Sequence, residues 1–290
     1  MIKKGIILAG GLGTRMSPLT KAVNKQLLPL YDKPLIYYPL SVLMLAGIRD
    51  ILIIVNKGQL QQFRKILPEK NNLGIKIQYK EQLSPGGLPE AFIIGEKFIG
   101  KDNIALILGD NFFYGQSLTR TLKKSTGLKT GAKIFLHPVK NPNLYGVAIT
   151  NQKNKVIKLI EKPLKSKSNL AVTGLYFFDN KVIGLSKELK PSKRKELEIV
   201  DLINLYKNKN KLKTTKLGRG SAWMDVGNFN DLQSASSFIQ NIEERQNYKI
   251  GCIEEIALNN KWIKKKNIIN RIKFCGDTDY SKYLKNLIDN

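Results

Sequence analysis

Cysteine and histidine are nearly absent from this sequence of 290 residues, which contains two cysteines, Cys252 and Cys275, and one histidine, His137. Two cysteines cannot supply a disulfide framework, and with a single histidine they cannot form the usual four-ligand zinc site. His137 lies within an apolar stretch and is expected to be a structural residue. We expect any bound metal ion to be held by carboxylates.

Long apolar segments are absent as well. No stretch approaches the ~18 consecutive apolar residues that suggest a membrane span, and the N-terminal apolar run is too short for a signal peptide. We therefore expect a cytoplasmic protein with no membrane partner. With 42% hydrophobic content, the chain can bury the core of one large domain or of one domain with a small appendage.

Acidic residues are few, because 23 Asp and Glu stand against 49 Lys and Arg and the formal net charge is +26. A strongly basic balance is one mark of nucleic-acid binding. Here, however, the lysines are scattered among Asn and Ile, and no recognised binding module accompanies them. We predict no nucleic-acid partner, and we expect a positive field that attracts nucleotide triphosphates and sugar phosphates.

A glycine-rich loop is the most informative segment that the sequence does contain. Residues 5–9 are typical of a buried strand, and the next six residues read Gly-Gly-Leu-Gly-Thr-Arg. The glycines leave no side chain between the backbone amides and a phosphate, while Arg15 and Lys25 add cations. Met16 replaces the third glycine of a dinucleotide fingerprint, and the Gly-Lys-Ser/Thr ending of a Walker loop is missing. The loop therefore predicts an anion site of another type.

Strands and helices are predicted to alternate along the rest of the chain. Apolar runs predict strands at 51–55, 75–79, 104–108, 133–139, 155–160, 172–178 and 212–217. Helices are predicted at 34–47, 59–67, from the turn at 82–91 to about 98, 196–207 and 228–245, followed by short helices at 254–257, 262–266 and 283–288. This order favours a parallel sheet that binds ligands at the carboxyl ends of its strands.

Two carboxylates are candidate magnesium ligands. Asp110 follows the strand at 104–108, and Asp225 lies beside Trp223 and Gly227. Magnesium prefers oxygen ligands, and a carboxylate at the end of a buried strand is costly unless it is paired or bound to a cation. The alternative for Asp110 is a helix cap. We expect the two carboxylates to face each other across one metal ion.

Three further segments carry polar groups suited to a nucleotide and a sugar. The amide of Gln82 can both donate and accept, as recognition of a base requires, although it can also be an exposed residue of a helix-entry turn. Gly146 can let a sugar lie against the backbone. Glu161 and Lys162 can bind sugar hydroxyls and a phosphate, or can form a surface ion pair. Arg194 is a candidate second phosphate contact.

These segments resemble the sugar-nucleotide pyrophosphorylases, or nucleotidyltransferases, and along nearly the whole chain they resemble the glucose-1-phosphate thymidylyltransferases. The resemblance rests on the glycine-rich loop with Lys-Gln-Leu-Leu-Pro, on Gln-x-Ser-Pro-x-Gly-Leu from Gln82, and on Leu-Gly-Asp-Asn, Tyr-Gly, Glu-Lys-Pro and Val-Thr-Gly-Leu-Tyr further on. It implies a Rossmann-like α/β fold with a mixed, mainly parallel sheet flanked by helices, of the nucleotide-diphospho-sugar transferase type. It also implies a catalytic domain at 1–250, with a nucleotide part at about 1–110 and a sugar-phosphate part at about 111–227, and a helical cap at 251–290.

The reaction implied by the resemblance joins dTTP to α-D-glucose 1-phosphate, giving dTDP-glucose and pyrophosphate with Mg²⁺ as cofactor, at the start of dTDP-L-rhamnose and other deoxysugar synthesis. The implied catalytic cations are Arg15, Lys25, Lys162 and Arg194. The implied nucleotide contacts are Leu8, Gly10, Gly11, Gly13, Thr14, Arg15, Gln26, Gln82 and Gly87. The implied sugar-phosphate contacts are Asn111, Tyr145, Gly146, Glu161, Lys162, Val172 and Trp223, and the implied metal ligands are Asp110 and Asp225.

The resemblance also implies a homotetramer inhibited by the end product at a site between subunits that includes Gly115, Arg219, Glu255 and Ile256. Three positions depart from the family pattern. Gly86 replaces an Asp and is expected to loosen its loop, Val226 replaces a Thr, and Asn259 replaces an Arg of the regulatory site. Two alternatives stay open: a pyrophosphorylase for UTP or another sugar phosphate, and a catalytically silent sensor of nucleotide sugars.

Overall fold

The computed structural model describes residues 1–153 and 155–289. The strands, in chain order, are β1 (Lys4–Ala9), β2 (Pro29–Leu30), β3 (Lys33–Pro34), β4 (Asp50–Asn56), β5 (Lys76–Gln82), β6 (Ile104–Leu108), β7 (Asn111–Tyr114), β8 (Ala132–Pro138), β9 (Gly146–Thr150), β10 (Val156–Glu161), β11 (Leu170–Phe178), β12 (Leu212–Lys216) and β13 (Ala222–Asp225). The α-helices are α1 (Leu19–Ala22), α2 (Tyr37–Leu45), α3 (Leu60–Ile66), α4 (Glu90–Ile94), α5 (Glu96–Ile99), α6 (Leu118–Ser125), α7 (Val182–Glu188), α8 (Ile199–Asn208), α9 (Phe229–Gln246), α10 (Ile253–Asn259), α11 (Lys265–Cys275) and α12 (Asp279–Asp289).

Nine of these strands form one mixed sheet with the order β10-β9-β11-β6-β1-β4-β5, and β8 pairs with both β11 and β12. One half of the sheet, β6-β1-β4-β5, is parallel throughout. In the other half, the central strand is β11, which runs antiparallel to β6, β8 and β9. The predicted fold class, a Rossmann-like sheet flanked by helices, is confirmed. Every strand predicted at 51–55 and beyond matches an observed strand within a few residues.

The central strands are buried on both faces, which explains their continuous apolar runs. In β1, Ile7 and Ala9 pack into the hydrophobic cluster on one side of the sheet, whereas Ile6 and Leu8 pack into the cluster on the other side. β4 alternates in the same way. This double burial fixes the register of β1 and therefore the point at which the glycine-rich loop leaves the sheet.

Helix α2 is more deeply buried than the predicted single apolar face suggests. Every residue from Tyr37 to Met44 is buried, including Ser41. The reason is that α2 lies between the sheet and the C-terminal helices, with α10 packed on its outer side. A helix covered on two sides has no solvent-facing stripe.

Several helix boundaries differ from the prediction, two of them for tertiary reasons. The helix expected to run to about residue 98 is broken at Gly95, which packs against Ile6 of β1. Helix α8 begins at Ile199 rather than at residue 196, because Leu197 is extended and its amide donates to the Gly86 carbonyl at 2.8 Å. The helix predicted at 262–266 begins only at Lys265, following a turn.

A small antiparallel ribbon of β7 and β13, which the sequence patterns did not reveal, lies at the carboxyl edge of the main sheet. Its outer side is covered by α9 through a small cluster that includes Phe112, Val226 and Ile239. Along the described part of the chain, no helix has both the length and the apolar character needed to cross a membrane.

Candidate active site

The glycine-rich loop begins where β1 ends and is held by Asn56 from the end of β4. The Asn56 side-chain oxygen accepts from the Gly11 amide at 2.9 Å, and its Nδ2 donates to the Gly11 carbonyl at 2.9 Å. Gly11 and Gly13 have φ angles of 109° and 59°, in the left-handed region that favours glycine. Thr14 follows as an exposed residue. Asn56 thus fixes the loop backbone at Gly11, while Thr14 remains exposed to solvent.

Gln26 places an unpartnered carbonyl beside this loop. Its side chain is buried, and Oε1 has no hydrogen-bond partner among the described residues. It packs closely on Gly109, where a Cβ would lie 2.9 Å from the Gln26 Cγ, and the Gly109 amide donates to the Leu8 carbonyl at 2.9 Å. A buried acceptor without a partner is costly, so this oxygen is suited to a donor group of a bound ligand.

Gln82, at the end of β5, faces the glycine-rich loop. A Cβ on Gly10 would lie 2.3 Å from the Gln82 Oε1, so only glycine fits at position 10 without moving this side chain. Gly87, in the turn after Gln82, has a φ of 98° and lies against the Leu197 backbone. Of the two candidate base-binding residues, Gln82 therefore contacts the candidate phosphate loop, and Gly87 contacts Leu197, which borders the candidate sugar-phosphate site.

The β7–β13 ribbon brings the two candidate metal ligands together. Asp225 pairs with Asn111 across the ribbon, and the Val226 amide donates to the Asp110 carbonyl at 2.9 Å. Asp110 forms an ion pair with Lys25 and accepts from Asn111 Nδ2 at 3.0 Å. Lys25 thus lies beside the metal-ligand candidates as well as beside the glycine-rich loop.

The Asp225 carboxylate forms no hydrogen bond or ion pair with another described side chain. Burial and the neighbouring Asp110 raise the pKa of Asp225 to about 7, against the opposing effect of Lys25 and Arg15. A bound cation would stabilise the ionised form of a carboxylate that is buried beside another carboxylate. This environment is what a metal-binding carboxylate needs.

The donor set fits a divalent ion that is completed by substrate and water. Within the described residues, no group of three or more Asp, Glu, His or Cys side chains could enclose a metal. Magnesium, however, commonly binds through one or two carboxylates together with phosphate oxygens and water. Asp110 and Asp225 supply that number of ligands.

Arg15 reaches from the glycine-rich loop to the segment after β13. Its guanidinium lies against Gly227, where a Cβ would be 3.0 to 3.2 Å from the guanidinium atoms. The same side chain lines a cavity together with Asp225 and Asp231. Arg15 therefore spans the boundary between the two candidate substrate sites.

That cavity has a volume of about 720 Å³ and contains all of the candidate sugar-phosphate residues. Its lining includes Asn111, Tyr145, Gly146, Glu161, Lys162, Val172, Arg194 and Trp223. These residues come from β7, β9, β10, β11 and β13 and from the loops beside them. Lys162 has a φ of 40°, unusual for a residue with a side chain, and its amide donates to the Tyr145 carbonyl at 3.1 Å.

Two of the candidate sugar residues are fixed by protein contacts. The Asn111 Oδ1 accepts from Trp223 Nε1 at 2.6 Å and from the Gly174 amide at 3.1 Å. The Trp223 ring meets Tyr145 edge-on with 5.1 Å between ring centres, and it meets His137 edge-on with 6.1 Å between ring centres. His137 also contacts the Ser221 carbonyl at 3.3 Å, as expected for a structural histidine.

Arg194 is held by Glu198, a buried residue that the sequence patterns did not single out. Arg194 Nε and Nη2 donate to the two Glu198 carboxylate oxygens at 3.1 and 2.7 Å, and Ser192 Oγ donates to Oε1 at 2.6 Å. Arg194 also contacts Glu161 at 3.2 Å. The pKa of Glu161 is raised, because burial and the neighbouring Glu198 outweigh the opposing effect of Lys162 and Arg194.

Other residues of the site also escaped the sequence patterns. Asn56 and Glu90 each contact a residue that the patterns had found, and Gly227, noted in the sequence only as a neighbour of Asp225, contacts Arg15. Only the Arg194–Glu198 pair left a usable signal, which is its spacing of four residues. Such spacing is common on protein surfaces and is a weak indicator of a site.

The candidate regulatory residues are only partly brought together. A cavity of about 370 Å³ is lined by Arg120, Arg219 and Ser221, and Gly115 packs directly on Ser221. Glu255 and Ile256 do not line this cavity. Instead, they lie on α10, where Glu255 accepts from the Tyr283 hydroxyl at 2.8 Å.

Comparison with known proteins matches residues 4–242 to the family model described as nucleotidyl transferase. A glucose-1-phosphate thymidylyltransferase of Neisseria meningitidis is 50% identical over 285 residues, covering 98% of this chain and 99% of that protein. The protein of the same name from Mycobacterium tuberculosis is 44% identical, covering 99% of this chain and 99% of the relative.

Solved structures also superpose on most of the chain. A protein assigned as a glucose-1-phosphate thymidylyltransferase from Bacillus anthracis superposes with a TM-score of 0.75 at 40% identity, covering 81% of this chain and 94% of that one. A UDP-glucose pyrophosphorylase in complex with UDP-glucose gives a TM-score of 0.73 at 25% identity, covering 83% and 99%. From the family match and from relatives that align along nearly its whole length, the chain belongs to the nucleotidyl transferase family.

Proposed function

We propose that this chain transfers the thymidylyl group of dTTP to α-D-glucose 1-phosphate, giving dTDP-glucose and pyrophosphate. The observation that carries the proposal is the meeting of two sites. The glycine-rich loop with Gln82 borders Asp110 and Asp225 on one side, and the cavity of Glu161, Lys162 and Arg194 borders them on the other. Relatives of 44 to 50% identity carry the name of this activity.

In the proposed reaction, an oxygen of the sugar phosphate attacks the α-phosphorus of dTTP in line, and pyrophosphate leaves. Lys162 and Arg194 orient the attacking phosphate, while Arg15 and Lys25 bind the triphosphate and stabilise the charge on the leaving group. Asp110 and Asp225 would hold Mg²⁺, which supplies charge neutralisation at the phosphates. The chain needs no covalent nucleophile for this chemistry.

The test is a panel of dTTP and UTP against sugar 1-phosphates, read by pyrophosphate release with Mg²⁺ and with EDTA. We expect pyrophosphate from dTTP and glucose 1-phosphate only when metal is present, with dTDP-glucose identified by mass spectrometry. Higher activity with UTP would favour the uridylyl alternative, which the superposition on a UDP-glucose pyrophosphorylase makes worth testing. No pyrophosphate from any pair would support the silent sensor.

Regulation and assembly are a second part of the proposal. We infer a homotetramer in the cytoplasm that supplies deoxysugar synthesis and is inhibited by dTDP-L-rhamnose near Gly115 and Arg219. The cavity with two arginines beside Gly115 supports an anionic effector. Asn259, in place of the Arg of the family pattern, weakens the effector site. Unchanged activity at millimolar dTDP-L-rhamnose would argue against inhibition.

A further inference from the structure

The loop expected to be loosened by Gly86 is held on both of its sides. The Gly86 amide donates to the Glu90 carboxylate at 2.8 Å, and the Gly86 carbonyl accepts from the Leu197 amide at 2.8 Å. The same Glu90 oxygen accepts from Gln82 Nε2. One carboxylate therefore joins the loop backbone to the candidate base-reading side chain.

The missing side chain at position 86 is what admits this carboxylate. A Cβ on Gly86 would lie 2.5 Å from the Glu90 Oε2 and 2.7 Å from its carboxyl carbon. The backbone at Gly86 is not in the left-handed region, so the constraint is space rather than conformation. An Asp at this position would add both a clash and a like charge beside Glu90. Gly86 and Glu90 thus act as a matched pair.

The contact with Glu90 decides which way the Gln82 amide faces. A carboxylate oxygen accepts hydrogen bonds and cannot donate when ionised, so the Gln82 group that meets it must be the NH₂. The Gln82 Oε1 is then directed toward Gly10 of the glycine-rich loop and accepts no hydrogen bond from any described residue. Gln82 is thereby fixed as a hydrogen-bond acceptor on the nucleotide side.

We propose that Glu90, admitted by Gly86, is a specificity-determining residue that acts through Gln82 by presenting its carbonyl oxygen to the base. The inference rests on the proposed function, in which Gln82 reads the pyrimidine. An acceptor selects a base with an N–H at position 3, which thymine and uracil have and cytosine lacks. Glu90 therefore contributes to the rejection of cytosine nucleotides and is neutral between dTTP and UTP.

The experiment compares kcat/KM for dTTP, UTP and dCTP in the wild type, in Glu90→Met, which removes the acceptor, and in Glu90→Gln, which keeps one acceptor oxygen. Calorimetric Kd values for the three nucleotides give the same comparison without turnover. We expect Glu90→Met to lower the ratio of kcat/KM for dTTP to that for dCTP on the order of tenfold, because the loss of one hydrogen bond typically changes an equilibrium or a rate by about this factor. The dTTP-to-UTP ratio should stay constant, and Glu90→Gln should stay within about threefold of the wild-type dTTP-to-dCTP ratio.

Gly86→Ala provides an independent route to the same result, because its methyl group displaces the Glu90 carboxylate. It should lower the same ratio, and the double variant with Glu90→Met should be no less selective than either single variant. Glu96→Met and Gly184→Ala are matched controls, since among the described residues the ion pair of Glu96 is with exposed Lys187, and a Cβ on Gly184 meets nothing within 4 Å.

A dTTP-to-dCTP ratio that is unchanged in both Glu90→Met and Gly86→Ala would overturn the inference and leave the proposed function intact. The two claims can also fail separately. If the wild type releases no pyrophosphate, but binds dTTP more tightly than dCTP and loses part of this preference in Glu90→Met, the proposed function is overturned and the inference about Glu90 stands. Equal binding of dTTP and dCTP by the wild type would overturn the inference directly.

Discussion

Arg15 depends on a residue more than two hundred positions away in the chain. Its guanidinium lies on Gly227, which leaves the space that a side chain would fill. The Arg15 side chain can therefore reach across the cleft toward Asp225 without displacing the segment after β13. A cation placed at this boundary can act on charge that develops during phosphoryl transfer.

We expect Arg15→Ala to keep the fold and to lower kcat on the order of 10²–10³, the usual loss of a group that stabilises developing charge. Gly227→Ala should lower kcat through displacement of Arg15, and should have little further effect in the Arg15→Ala background. Steady-state rates of all three variants, with melting temperatures as a check on folding, measure this coupling. Additive losses would show that Gly227 acts independently of Arg15.

The raised pKa of Asp225 gives a stability prediction for the metal-free protein. An acid whose pKa is higher in the folded state, here about 7, makes ionisation unfavourable for folding, so stability falls as the pH rises from about 4 toward 7. Asp225→Asn removes this penalty. In EDTA, the variant should be more stable than the wild type at pH 8, by at most about 4 kcal/mol, and the advantage should shrink at pH 5. Urea denaturation at both pH values tests this, and a constant difference would contradict it.

The C-terminal helices are joined to α2 through a buried polar cluster. Glu254 of α10 is fully buried and pairs with Arg271 of α11 at 2.8 Å, while it also accepts from the Tyr280 hydroxyl of α12 at 2.6 Å. Arg271 in turn donates to the Tyr37 hydroxyl of α2 at 3.4 Å. One carboxylate thus fixes three C-terminal helices against the helix that covers the sheet.

Removal of Glu254 alone should destabilise this element strongly, since it leaves the Arg271 charge buried and unpaired. We expect Glu254→Ala to cost about 3–5 kcal/mol and to open α11 and α12 to proteolysis. Breaking the exposed Lys187–Glu96 pair is the control and should cost less than about 1 kcal/mol. Urea titrations and limited trypsin digestion measure both effects. Equal, small losses in the two variants would show that the cluster does not hold the cap.

The charge of the whole molecule bears on substrate capture. A net charge of +26 produces a positive field around a site that, by our proposal, binds a triphosphate and a sugar phosphate. The affinity for dTTP should therefore fall several-fold between about 20 and 300 mM KCl, whereas the affinity for uncharged thymidine should change little. Calorimetric titrations at both salt concentrations test this. A parallel change for the two ligands would exclude the field as the cause.

The sequence by itself determined most strands of the main sheet, though not β9, and the position of the glycine-rich loop. Apolar runs such as 5–9 and 104–108 are unambiguous because strands buried on both faces need a side chain of low polarity at every position. Glycines directly after β1 then fix where backbone amides are open to a ligand. These features depend on neighbours in the chain, so they can be read without knowledge of the fold.

Only the tertiary structure decided how the site is supported. The burial of α2 and the late start of α8 at Ile199 depend on which segments the sheet order brings together. The same is true of Gly227, whose role exists only because Arg15 crosses the cleft above it. The contact of Glu90 with Gln82 depends on how the turn between these two residues folds. Such contacts join residues separated by eight to more than two hundred positions, and no local pattern of polarity or spacing records which residue a side chain will meet.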